Sequence, residues 1–170
     1  MTKMNRGFTL IELLVVIVVL GVLAVGIFIA INPLERLAQA RDAQRKAAIG
    51  QLANALQTYY VTHVASGNPW PNPTNYNFMD ILVADGNLKT KIPDVPNTPG
   101  CLGGVYSQGV YCYYAADPNA YVMIPLESQK EKSKCASGNP YYMWDSGQGK
   151  IGVVCVVPPY WSLGSYTFFP

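Results

Sequence analysis

The chain has 170 residues, about the length of one domain. Half of it is hydrophobic and 13% is charged, against about 25% in an ordinary soluble domain. Lys3 and Arg6 supply the whole net charge of +2, because the other ten basic residues balance ten acidic ones. This profile excludes a disordered chain, a free cytosolic enzyme and a body built to coat nucleic acid.

The first predicted element is an apolar helix. Residues 13–31 are 19 consecutive uncharged and almost wholly apolar positions, enough for one bilayer crossing at about 1.5 Å of rise per residue. Lys3 and Arg6 precede it, as in a secretory signal, but the run is longer than a signal core of about 7–15 residues. Its one small-x-small candidate, Ala24-Val25-Gly26, lies inside the run rather than after it. Glu12 stands alone at the head of this segment. An ionised group at a bilayer centre costs roughly 2.5–3.5 kcal/mol and somewhat less near an edge, so such a residue reads as functional unless it snorkels.

Asn32-Pro33 interrupts the run, and a kink or a fresh helix start is expected at Pro33, which has no backbone donor. Residues 34–64 then read as an amphipathic helix. Leu34, Leu37, Ala38, Ala48, Leu52, Ala55, Leu56, Tyr59 and Tyr60 recur at spacings of three, four and seven. Arg36, Asp42, Arg45, Lys46, Gln51 and Gln57 are assigned to other faces. Ala65-Ser66-Gly67-Asn68-Pro69 ends the helix. A rod continuous from Phe8 to His63 would be roughly 84 Å long. It could not bury itself in a globule of this size, so it must have partners.

Beyond His63 the composition changes. That part holds 12 of 13 prolines, 11 of 15 glycines, all four cysteines and 16 of 20 aromatics, and reads as turn-rich α+β with no internal repeat or flexible linker. Residues 74–86 contain a short helix ended near Gly86. GVYCYYAA (109–116) and YVMIPLE (121–127) form a hairpin across the turn 117–120. YYMWDS (141–146) pairs with KIGVVCVV (150–157) across Gly147-Gln148-Gly149. The apolar face of this antiparallel sheet is expected to cover the stripe of the 34–64 helix.

Cys101, Cys112, Cys135 and Cys155 allow three pairings. No CxxC occurs, which argues against zinc or a thioredoxin-like centre and for disulfides. The shorter loops favour Cys101–Cys112 and Cys135–Cys155, with free buried thiols as the alternative. His63, the only histidine, has no cysteine or paired carboxylate near it in sequence and reads as a helix-end residue. ESQKEKSK (127–134) reads as a solvated loop. Asp145-Ser146-Gly147 and Asp117-Pro118-Asn119 offer oxygens that could hold calcium, but turn chemistry explains both, so no metal and no cofactor is expected. No catalytic constellation emerges, and the chain is expected not to be an enzyme. The aromatics of 106–169, among them Tyr113, Tyr114, Tyr141, Tyr142, Trp144, Trp161, Phe168 and Phe169, read as sheet core and subunit contacts. The tail 158–170 reads as an exposed apolar patch and a subunit interface.

The N-terminal string GFTLIELLVVIVVLGVLA (7–24) resembles the class III leader and first helix of type IV pilins and of the pseudopilins of type II secretion. The basic leader ends in Gly7, then come Phe8, Thr9, Leu10 and Ile11, with Glu12 fifth after the glycine. Residues 54–71 and LVADGNLKTKIPDVP (82–96) are similar to the family more loosely. The resemblance implies that prepilin peptidase cleaves between Gly7 and Phe8 on the cytoplasmic side and methylates the new amine of Phe8. It implies that Glu12 pairs with the Phe8 amine of a neighbouring subunit, which neutralises two charges that lipid disfavours and fixes register. Gly21 matches a family glycine where the helix loosens in filaments, whereas Pro33 comes about a turn later than the family proline.

The fold class expected is therefore α+β, with a long N-terminal helix on a small antiparallel sheet head. Its segments are the leader (1–7), a transmembrane and filament-core helix (8–33), an amphipathic helix (34–64) and a disulfide-containing head (65–170). The implied partners are further copies in a helical filament, prepilin peptidase, an assembly ATPase and an assembly platform protein, with the cytoplasmic membrane before assembly. Nucleic acid is not expected. Lys3 and Arg6 favour an inside N-terminus, while Arg36, Arg41, Arg45 and Lys46 lie within counting distance on the other side. The cysteines and the family pattern place the head outside.

Overall fold

The computed structural model describes residues 8–67, 69–72, 77–96, 101, 106–116, 118–156 and 166–169. Its longer helices are α1 (Leu10–Ile31), α2 (Pro33–His63) and α3 (Phe78–Ala84), with a 3-10 turn at Val64–Ser66. The strands are β1 (Tyr106–Gln108), β2 (Tyr111–Ala116), β3 (Asn119–Pro125), β4 (Asn139–Asp145) and β5 (Lys150–Val156), and the short α4 (Gln129–Lys132) joins β3 to β4. The class is α+β. Contacts separate a unit ending at Leu37 from a second unit, the head, beginning at Ala38, so most of α2 belongs with the head.

Within the first unit, α1 is apolar on every side. Its described large apolar side chains are all exposed, from 49% at Leu14 to 83% at Leu10. Leu10–Phe28 is long and apolar enough to cross a membrane. The helix stops at Asn32, whose φ of 47° is left-handed, a conformation asparagine tolerates better than most residues. Asn32 then serves the next helix: its Oδ1 accepts from the Glu35 N–H at 3.4 Å and its carbonyl from Arg36 N–H at 3.3 Å. Pro33 occupies the first helical position, where its missing N–H costs nothing. The interruption is thus a fresh start, one of the two outcomes expected there.

Within the head, α2 buries Ala48, Ile49, Leu52, Ala53, Ala55, Leu56 and Tyr59. These pack with Trp70, Phe78, Met79 and Leu82 and with one face of the sheet: Tyr111, Tyr113, Ala120, Val122, Ile124 and Trp144. The strands run in sequence order, β1-β2-β3-β4-β5, each antiparallel to the next. Side chains alternate across a strand, so Cys112, Met123, Tyr141, Met143 and Val154 form a second cluster on the opposite face. Tyr166 and Phe168 pack against this cluster, and the Phe169 N–H donates to the Val153 carbonyl at 2.8 Å.

Five expectations need correction. Asp42 and Arg45, assigned to faces other than the apolar stripe, lie on the buried side of α2 and are 2% and 0% exposed. Burial is tolerable because each is paired: Asp42 Oδ1 accepts from Arg45 Nη1 at 2.9 Å and from the Glu127 N–H at 3.0 Å, and Oδ2 accepts from the Ser128 N–H at 2.9 Å. Segment 127–134 is not a solvated loop, since Ser128 caps α4 and Glu131 is buried between Lys46 and Lys134. Leu34 and Leu37, placed on the buried stripe, are exposed. Of the tail, Tyr166, Phe168 and Phe169 are half-buried against the sheet rather than exposed, because β5 has an open edge and an apolar face that they cover; 157–165 and Pro170 lie outside the described residues. The first hairpin strand begins at Tyr111 rather than 109, because Gly109, at φ 62°, turns the chain between β1 and β2.

Candidate assembly site

The site begins where α1 begins. Phe8 is 80% exposed, and Thr9 in extended conformation is the N-cap. The four N–H groups of a helix start have no partner within the helix. Here Thr9 and Glu12 serve one another: the Thr9 N–H donates to Glu12 Oε2 at 3.0 Å, the Thr9 hydroxyl donates to the same oxygen at 2.8 Å, and Glu12 N–H reaches Thr9 Oγ1 at 3.4 Å. This is a capping box. The Thr9-x-x-Glu12 spacing is its sequence signature, so this role of Glu12 was legible and is absent from the expectations above. Gly7 and the leader 1–6 lie outside the described residues.

This geometry turns the carboxylate toward the chain's own N-terminal end, beside Phe8. In hydrocarbon the same group would be expensive without a donor. The Thr9 hydroxyl and N–H supply two donors in the single chain. A cationic amine is a stronger, charge-assisted donor than either.

Gly21 is helical within α1, and a Cβ built there meets nothing within 4 Å. Close packing among the described residues therefore does not require it, and it weakens the helix locally by about 0.5–1 kcal/mol relative to alanine. Pro33 sits at the start of α2 after the left-handed Asn32.

The remaining candidates resolve into structural roles. Cys101 is joined to Cys112 and Cys135 to Cys155. The first disulfide fastens the chain at Cys101 to the sheet face opposite α2, and the second ties the segment after α4 to β5. His63 stacks on Tyr59 with ring centroids 3.9 Å apart, and its Nε2 lies 3.5 Å from Asp85 Oδ1. Asp145, a candidate calcium ligand, engages one oxygen in its own turn and the other with the tail: Oδ1 accepts from the Gly147 and Gln148 N–H groups, and Oδ2 from the Tyr166 hydroxyl at 2.6 Å. Asp117 lies outside the described residues. Among the described residues no three His, Cys, Asp or Glu side chains come together as a metal would need. Tyr113, Tyr141 and Trp144 are buried and Tyr114 and Tyr142 half-buried, which uses them as core; Trp161 lies outside the described residues.

No curated protein and no solved structure matches the chain. Residues 2–28, by contrast, match the model of the prokaryotic N-terminal methylation motif, the class III prepilin leader found in type IV pilins and pseudopilins.

Proposed function

We propose that the protein is a structural subunit of a type IV pilus or pilus-like filament, and not an enzyme. It waits in the cytoplasmic membrane through α1, loses residues 1–7 to prepilin peptidase, and polymerises as α1 leaves lipid for a bundle of identical helices. The observation that carries this reading is the methylation motif over residues 2–28 at the head of a helix whose described large apolar side chains are all exposed. Glu12 then exchanges its Thr9 donors for the freed Phe8 amine of the next copy, a pairing that fixes axial register more than it adds stability. Extraction and stacking would be driven by an assembly ATPase and platform protein.

The mature N-terminus provides the first test. Mass spectrometry should find a chain that begins at N-methylated Phe8; a product retaining Met1 through Gly7 in cells with active peptidase overturns the proposal. Glu12→Ala should still be cleaved and inserted but should yield no filaments by electron microscopy. Filament formation at the wild-type level would remove Glu12 from the mechanism.

A second reading is a pseudopilin of type II secretion, favoured by the resemblance of 82–96 to the family's helix-to-sheet stretch. The four cysteines suit the exposed fibre better. Filaments outside the cell support the pilus, whereas loss of protein export in a deletion strain supports the pseudopilin.

A further inference from the structure

Three phenols and a buried carboxylate meet on the sheet face turned away from α2. Tyr114, Tyr121 and Asp145 are register partners across β2, β3 and β4, so their side chains emerge on one face. Tyr166, from the far end of the chain, lies against them. Its ring stands edge-on to that of Tyr121 with centroids 6.3 Å apart, and the Tyr121 and Tyr114 rings are 6.2 Å apart. The Tyr166 hydroxyl donates to Asp145 Oδ2 at 2.6 Å, within the range of about 2.5–2.7 Å for a charge-assisted O–H···O⁻ bond. Asp145 is 2% exposed and is anchored in its turn through Oδ1, while the three tyrosines are half-buried. The Tyr111 and Tyr113 hydroxyls donate instead to main-chain carbonyls, which cannot keep a proton. Burial and the neighbouring Asp145 push the Tyr166 phenol above its ordinary 10.0. Near neutrality it is therefore not ionised, and an electron leaves it most readily together with the proton, for which Asp145 is the acceptor in place.

We propose that Tyr121 and Tyr166 form a site of oxidative cross-linking, at which hydrogen peroxide, acting through a one-electron peroxidase, joins the two rings by a carbon–carbon bond. Tyr166 gives its electron to the oxidant and its hydroxyl proton to Asp145 Oδ2. Tyr121 is oxidised by a second one-electron step, with its proton passing to water. The two phenoxyl radicals couple through the ring carbons beside their oxygens, and the hydrogen on each of those carbons moves to the oxygen, which restores both phenols. The proton held by Asp145 returns to solvent, where peroxide reduction consumes it. Two tyrosines and one peroxide thus give one dityrosine and two waters. The bond would fasten the tail to β3. The tail's hydrogen bonds to the sheet run from Tyr166 to Asp145 and from Phe169 to Val153, and a covalent link beside them does for the chain's end what the disulfides do for its loops. The inference uses the head alone and needs neither the membrane nor the filament.

The test treats the full mature chain, dilute in detergent, with hydrogen peroxide and a peroxidase, then reduces, digests and sequences it by mass spectrometry. The expected product is a linked Tyr121–Tyr166 peptide, lighter than its parts by two hydrogens and accompanied by dityrosine fluorescence. Tyr121→Phe and Tyr166→Phe should each lose it, and Tyr114→Phe should keep it. Asp145→Asn, which retains an oxygen to hold the turn, should form the link about a hundredfold more slowly, the lower end of what a positioned proton acceptor contributes; an unchanged rate removes Asp145 from the route. A second readout does not depend on how that variant folds. In Tyr121→Phe, where the first step stands alone, consumption of Tyr166 should not rise with the concentration of buffer base, because its acceptor is internal; a rise overturns that step. No link, a link that favours Tyr114 with Tyr121, or one that forms only between chains overturns the site.

Discussion

Asp42 joins α2 to the β3–β4 connection through two hydrogen bonds from main-chain N–H groups and accepts a third from the guanidinium of Arg45 on its own helix. Truncating it takes the nearest carboxylate from the fully buried Arg45, which keeps Glu127 at 3.5 Å and the Pro96 carbonyl at 3.3 Å, and takes the acceptor from two amides at once. Asp42→Ala should therefore destabilise the head by about 3–5 kcal/mol, the usual result of removing one partner of a buried pair. Urea unfolding in detergent, followed by tryptophan fluorescence, measures this. Asp42→Asn, which keeps an acceptor oxygen but not the charge, should cost distinctly less; equal losses would mean that the charge, not the amides, dominates. Periodicity does place this residue on the buried side, since Ala38, Asp42, Arg45, Ile49, Leu52, Leu56 and Tyr59 recur at spacings of four and three. What it cannot show is what satisfies the carboxylate, because the two main-chain N–H groups come 85 and 86 residues later. One helix's pattern records which side chains are apolar, not which polar ones find partners across the fold. Glu12 is the opposite case, because both its neighbours and its spacing to Thr9 are local, and so were readable.

At the scale of elements, α4 and β2 make opposite predictions in pH. Burial raises the Glu131 carboxyl, but the ammonium groups of Lys46 and Lys134 outweigh it and hold it below its ordinary value of 4.5. A depressed carboxyl stabilises the fold above the unfolded value and loses that contribution as pH falls through the folded one. The stability gap between wild type and Glu131→Gln should therefore be full near neutrality and shrink as pH drops below about 4.5. Tyr111 behaves in reverse. Burial, helped by Asp94 and opposed by Arg45, pushes its phenol from 10.0 up to about 12, and its hydroxyl donates to the Pro93 carbonyl at 2.9 Å. Its contribution is complete below the unfolded value and is lost as pH rises from 10.0 to about 12. Phenolate absorbance should show Tyr111 titrating late, and Tyr111→Phe should weaken the alkaline dependence of unfolding. The longer elements were legible: α2, α3 and both hairpins lie within a few residues of their expected places. Strand β1 and helix α4, at three and four residues, are too short for any period to show. They form because β2 offers an edge and because Ser128 and Asp42 satisfy the backbone at the start of α4.

At the scale of the whole molecule, the two disulfides close loops of 11 and 20 residues. A loop of that size is worth about 3 kcal/mol through restriction of the unfolded chain. Replacing both members of either pair by alanine should lower the stability of the head by about that amount, read as a fall in the urea midpoint. The pairing itself follows the shorter-loop preference, each bond tying a cysteine outside the strands, Cys101 or Cys135, to one on a strand, Cys112 on β2 or Cys155 on β5. What could not be read was the far side of the sheet. The expected layering put α2 on one face and left the other open, whereas Cys101, Tyr166 and Phe168 cover it. The strand order has a consequence for synthesis and export. Every strand pairs with its neighbour in sequence, so contact order is low for a β-rich body and no strand waits long for a mate. A chain threaded across a membrane α2 first meets its template before its sheet, then zips one hairpin at a time. The Phe169 amide closing on Val153 is the latch of that sequence, so in the proposed orientation, with the head outside, translocation and maturation of the head would proceed as one directional process.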